Sequence, residues 1–129
     1  MKEPKFLSVD QVKILHNRSL QSYGGLDGIR EPSLFESAVF QPQNVFYYQN
    51  GDLFDIASAY AFHIAQAQAC FDGNKRTGIA SALVFLEMNG ISSDYEEDML
   101  YDVIIDVAER KLTREDFADL LRNHKSKHY

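Results

Sequence analysis

From Thr77 to Met88 the chain reads Ile79, Ala80, Ala82, Leu83, Val84, Phe85 and Leu86, apolar nearly all round a helix. A helix without a polar face has to be enclosed by other elements, so this segment predicts the central helix of a bundle. Just upstream, from Leu53, the residues Ile56, Ala57, Tyr60, Ala61, Ile64 and Ala65 keep one helical stripe. Asp52 or Asp55 stands near its N-terminal end, where a negative charge suits the helix dipole.

The remaining segments supply the enclosure. Ser8-Val9-Asp10-Gln11 matches a capping box and starts a helix running to about Gln21. Tyr23-Gly24-Gly25-Leu26-Asp27-Gly28 places three glycines among six residues and predicts a turn or loop. Pro32 suits the first position of a short second helix carrying Leu34, Phe35, Ala38 and Val39, which Pro42 is expected to end. Asn44 to Asp52 is rich in β-formers and ends in Asn50-Gly51, a pair suited to a type I′ turn. A small hairpin flap or an aromatic-rich loop fits it equally. Asn89-Gly90 ends the central helix, Leu100, Val103, Ile104 and Val107 mark a fifth, and Thr113-Arg114-Glu115-Asp116 opens a last one with Phe117, Leu120 and Leu121. The expectation is an all-α bundle of about six helices with at most one hairpin, a single domain over residues 1–129. Its polar tail, 123–129, is expected to fray.

Charge and composition narrow the function classes. A chain of 129 residues with net charge −6 repels duplex nucleic acid unless its cations cluster. The single cysteine, Cys70, excludes an intramolecular disulfide and suits a reducing compartment. The longest uncharged run, Ile56 to Phe71, falls short of the roughly 20 apolar residues a membrane span needs. Met1 to Lys5 lacks the apolar core of a secretory signal, so a cytoplasmic protein is expected.

The chemistry concentrates in Phe71-Asp72-Gly73-Asn74-Lys75-Arg76-Thr77, between the two most apolar helices. A helix start leaves about four amides unpaired and carries roughly half a positive charge, so a glycine turn feeding it makes an anion pocket. Lys75 adds a point charge and Arg76 a fork that grips phosphate oxygens in pairs, while Asp72 can hold Mg²⁺ against those oxygens. This chemistry suits a nucleotide polyphosphate. The plainer reading is a helix-turn-helix joint with solvated charges. The segment lacks the Gly-x-x-x-x-Gly-Lys-Ser/Thr of a P-loop, and its two cations sit where an EF-hand needs oxygen ligands.

Phe71 to Thr77, with Ile79, Ala80, Leu83 and Leu86 after it, resembles the Fic/Doc signature His-x-Phe-x-Asp/Glu-Gly-Asn-Gly-Arg. Lys75, in place of the last glycine, resembles the death-on-curing branch. The likeness extends over Tyr23 to Leu26, Gly28 to Arg30, Leu34 to Ala38 and Leu83 to Gly90. It implies a helical bundle whose motif loop holds ATP or another nucleoside triphosphate with Mg²⁺, and a flap that aligns a protein target by β-augmentation. It further implies a toxin of a toxin-antitoxin pair, phosphorylating a protein hydroxyl such as a threonine of elongation factor Tu, and silenced by an antitoxin segment. By that likeness Asp72 binds Mg²⁺, Gly73 and Asn74 shape the anion nest with Thr77 beside them, Lys75 and Arg76 hold phosphates, and Val45, Phe46, Tyr47 and Tyr48 form the flap.

Two positions depart from the signature. Gln68 stands where the catalytic histidine belongs, and Cys70 where the phenylalanine belongs. Glutamine accepts a hydrogen bond but takes no proton at neutral pH, and losing a general base typically costs about 10² to 10⁴ in rate. His63 lies five residues back, roughly 140° around the helix, so it cannot replace that base and is expected at the core's edge. His16, His124 and His128 fall on peripheral segments, and Cys70 reads as a small hydrophobe, or as a thiol with lowered pKa beside a helix start. An active Doc-like kinase, an AMP-transferase, a binding module silenced by Gln68 and a plain helical interaction domain are the alternatives. Lys75 and Arg76 separate the last from the others.

Overall fold

In the computed structural model, which describes residues 2–92 and 94–123, six helices follow one another: α1 (Val9–Tyr23), α2 (Pro32–Gln49), α3 (Leu53–Ala67), α4 (Asn74–Met88), α5 (Glu97–Ala108) and α6 (Arg114–Asn123). The class is all-α, as expected. The predicted fraying tail lies outside the described residues beyond Asn123, which closes α6.

The two most apolar segments become the central pair, and α3 and α4 make the most extensive helix contact. Their close crossing depends on Gly78. A Cβ built there meets the Ala61 carbonyl oxygen at 2.7 Å, so backbone packs directly on backbone. Tyr60 on α3 and Phe85 on α4 are fully buried with ring centroids 5.2 Å apart. Burial of side chains this large contributes about 1.5–3 kcal/mol each. Tyr60 also accepts the Leu7 amide on its hydroxyl oxygen at 2.9 Å, pinning the chain that leads into α1.

Side-chain caps set the helix starts. Ser8 and Gln11 form the predicted capping box. At α3 the sequence left Asp52 and Asp55 as alternatives, and both act: each carboxylate accepts the other residue's amide at 2.9 Å. Thr113 and Asp116 cap α6 in the same reciprocal way. Arg122 then closes the bundle. Its Nε and Nη2 each donate to an Asp52 oxygen at 3.0 Å, and Nη2 also reaches Asp55 at 3.2 Å, joining the end of α6 to the start of α3.

The second helix corrects the sequence reading. It does not end at Pro42 but continues to Gln49, and Val45, Phe46, Tyr47 and Tyr48 are helical instead of forming a flap. Phe35, Ala38, Val39, Pro42 and Val45 are buried at helical spacing, so one stripe runs straight through the proline. Packing of that face outweighs the hydrogen bond the proline removes. Asn50 adopts the left-handed conformation (φ 53°, ψ 33°) as a helix cap, and the Gly51 amide donates back to the Val45 carbonyl at 2.9 Å. Among the described residues, the one β-type pairing is an isolated antiparallel bridge between Ile29 and Cys70. No helix among them is long and apolar enough to cross a membrane.

Candidate active site

The turn between α3 and α4 is fixed from several sides. Gln68 ends α3 in the left-handed region (φ 48°, ψ 39°), and the next residues extend alongside the glycine loop. There the Arg30 and Glu31 amides both donate to the Ala69 carbonyl, at 2.7 and 3.0 Å, and the Phe71 amide donates to Gly28 at 3.2 Å. The Arg30 guanidinium donates to the Gln68 carbonyl at 2.8 Å. Asn74 then folds its side chain back on Cys70, its oxygen accepting the Cys70 amide at 3.0 Å and its amide donating to the Cys70 carbonyl at 2.9 Å. Asn74 therefore shapes the loop with its side chain and offers its backbone to the helix start. Gly73 caps α4 at φ 81°, a conformation that disfavours a Cβ.

Asp72 is held at both ends. Its carboxylate accepts the Leu26 amide at 2.6 Å, and its carbonyl accepts Nε2 of His16 at 2.8 Å. A carbonyl only accepts, so the Nε2 of this buried histidine carries the proton. The sequence puts His16 on a peripheral segment, and the fold brings it to the turn. Its partner is a backbone oxygen on a distant element, which leaves no signal in residue spacing.

This turn forms the floor of a cleft of about 590 Å³. Gln68, Asp72, Gly73, Asn74, Lys75 and Arg76 all face it, so six of the seven residues expected to share catalytic, phosphate or metal duties are brought together. Thr77 is the exception. Its side chain is fully buried and its amide donates to the Gly73 carbonyl at 2.9 Å, which removes it from contact with a phosphate. The residues expected as a flap are also elsewhere: Val45 is buried in the core, while Phe46 and Tyr47 border a separate hollow beside Asp52.

The electrostatics favour an anion. No side chain caps α4, so its first amides have no intrahelical partner and its dipole faces the cleft. Lys75 and Arg76 add two charges on the first turn. The Arg76 guanidinium carbon lies over the ring of Tyr23, at the end of α1, and over that of Tyr101, on α5, 4.0 Å from each centroid. Its Nη1 also meets Asp98 at 3.4 Å, but that carboxylate is 81% exposed, so water screens the pair.

The other candidates stay outside this chemistry. His63 borders a small groove on the α2 side of α3, and burial, aided by the Arg114 charge, pushes its pKa below the ordinary value. The Cys70 thiol is pushed up to about 11 by burial and then by Asp27, so it is a neutral thiol and not an activated one. His124 and His128 lie outside the described residues. Gln68 faces the cleft with an exposed side chain that can orient a hydroxyl but cannot deprotonate it.

Comparison with known proteins agrees with this geometry. The model of the Fic/DOC family matches residues 6–86. "Protein kinase doc" of Escherichia phage P1 is 31% identical over 119 residues, covering 92% of this chain and 94% of that protein. "Toxin Doc" of Mycolicibacterium smegmatis is 36% identical over 93 residues, covering 69% of this chain and 72% of its relative. The motif loop, the helices that carry it and these matches together place the chain in the Fic/DOC family.

Proposed function

We propose that this chain is a Doc-like toxin that moves a phosphoryl group from a nucleoside triphosphate, ATP in the first instance, to a hydroxyl of a protein target. The observation that carries this reading is the convergence of an uncapped helix start, Lys75 and Arg76 in one cleft of an acidic protein. Lys75 supplies a point charge to the phosphates, and Arg76 presents a planar fork to paired oxygens. Gly73 and Asn74 bring backbone amides close to the anion.

Asp72 fits the Mg²⁺ role. One carboxylate oxygen is engaged by Leu26, and the group keeps further lone pairs toward the cleft, which matches the habit of Mg²⁺ to take one or two carboxylates plus phosphate oxygens. When bound, the ion neutralises phosphate charge. His16 and Leu26 keep Asp72 in place for it.

Phosphoryl transfer relies chiefly on positioning and charge neutralisation, so a site without a general base keeps part of its rate. Gln68 accepts a hydrogen bond from the target hydroxyl and aims it, and the proton passes to solvent. The target class is a translation factor such as elongation factor Tu, the compartment is the cytoplasm, and a cognate antitoxin segment silences the cleft. Gln68 also favours a second reading, a nucleotide-binding module that retains the cleft without transfer; movement of a nucleotidyl group is the third.

Titration calorimetry with ATP and Mg²⁺ tests the shared premise. The unaltered chain is expected to bind, and the Lys75→Ala/Arg76→Ala double variant to lose binding while melting at the same temperature. Equal binding by both would remove the anion site from the account.

A further inference from the structure

Arg76 is an unusual place to find a stacked guanidinium. Its Cζ lies over the rings of both Tyr23 and Tyr101, 4.0 Å from each centroid, well inside the roughly 6 Å range of cation–π attraction. The two rings come from different helices, α1 and α5, and the Tyr23 hydroxyl also donates to Glu97 on α5 at 3.5 Å. The Arg76 side chain is 23% exposed, while Tyr23 is 54% exposed. The rings therefore order the arginine more than they build the core.

A guanidinium held against two rings is restrained at its carbon and still donates through its edge. Its N–H groups all lie in the guanidinium plane, and phosphate is gripped through paired in-plane donors. Nη1 is turned toward the solvent-screened Asp98, which leaves the Nη2 and Nε edge for a ligand. An arginine with a free side chain loses rotamer freedom when it closes on phosphate; one already clamped between rings has lost it beforehand.

We infer that Tyr23 and Tyr101 are positioning residues, a two-ring clamp that holds the Arg76 guanidinium edge-on to the polyphosphate. The inference rests on the nucleotide site proposed above and adds residues from outside the motif loop to it. The stacking needs the ring and not the hydroxyl, which sets a conservative variant against a disruptive one.

The test measures the dissociation constant for ATP with Mg²⁺ in the full chain and in Tyr23→Phe, Tyr101→Phe, Tyr23→Leu, Tyr101→Leu, Arg76→Ala and the Arg76→Ala/Tyr101→Leu double variant. The phenylalanine variants are expected to bind within about twofold of the parent, and each leucine variant about three- to tenfold more weakly. Adding Tyr101→Leu to Arg76→Ala is expected to cost nothing further, because the ring acts through the arginine. Leucine variants that bind normally while Arg76→Ala fails would overturn the clamp and leave the nucleotide site standing. A further loss from Tyr101→Leu in the Arg76→Ala background would also overturn it, since the ring would then act by another route. If Arg76→Ala binds as the parent does, the clamp is overturned, while the nucleotide site stands or falls with the Lys75→Ala/Arg76→Ala variant.

Discussion

Nε2 of His16, on the first helix, donates to the carbonyl oxygen of Asp72, 56 residues away, at 2.8 Å. One hydrogen bond thus joins the enclosing layer of the bundle to the turn that heads the central helix. Truncating this buried side chain removes packing and leaves the Asp72 carbonyl short of a partner. His16→Ala is expected to lower unfolding free energy by about 2–4 kcal/mol in a urea titration. His16→Gln, which keeps a donor, should lose less, and equal losses from the two would mean that the ring's volume matters and its proton does not.

Gly78 gives the sharpest packing test. Alanine is the better helix former by about 1 kcal/mol, so local propensity alone predicts a gain. The new methyl would meet the Ala61 carbonyl oxygen at 2.7 Å, with backbone on both sides and no flexible side chain to give way. Gly78→Ala is expected to lower stability by about 1–3 kcal/mol net, read as a lower melting temperature. A rise would show that the two central helices separate at little cost.

His63 makes stability depend on pH. Burial first, and the Arg114 charge second, hold its pKa below the ordinary 6.5, so the folded chain resists a proton that the unfolded chain accepts. In the window below that ordinary value the unfolded state binds more protons, and stability falls as pH falls until the folded histidine also titrates. Unfolding free energy is expected to decline as pH falls through the ordinary histidine value of 6.5, and His63→Gln to decline less over the same titration. Parallel curves would place the pH dependence elsewhere.

What the sequence discloses is what is local in it. The loop from Phe71 to Thr77 is readable because a glycine, a helix start and two cations are neighbours in the chain. At α2 a strong local rule, proline as a helix breaker, opposes a packing stripe that runs through Phe35, Ala38, Val39, Pro42 and Val45, and the stripe prevails. Asn50-Gly51 misled for a related reason: the left-handed backbone that suits a tight hairpin also terminates a helix. The His16 bond to Asp72 and the stacking of Arg76 on Tyr23 and Tyr101 were out of reach, because each joins helices whose contact exists only in the folded bundle.

Gln68 decides how much chemistry the cleft retains. It occupies a left-handed position, a conformation that histidine tolerates well among non-glycine residues, so Gln68→His should fold as the parent does. The measurement that bears most directly on the account is the mass of elongation factor Tu after incubation with ATP, Mg²⁺ and either the parent chain, Gln68→His or Lys75→Ala. A gain of about 80 Da is expected, slow with the parent, about 10² to 10⁴ faster with Gln68→His and absent with Lys75→Ala. No gain with any of the three, or a gain that persists in Lys75→Ala, would contradict it.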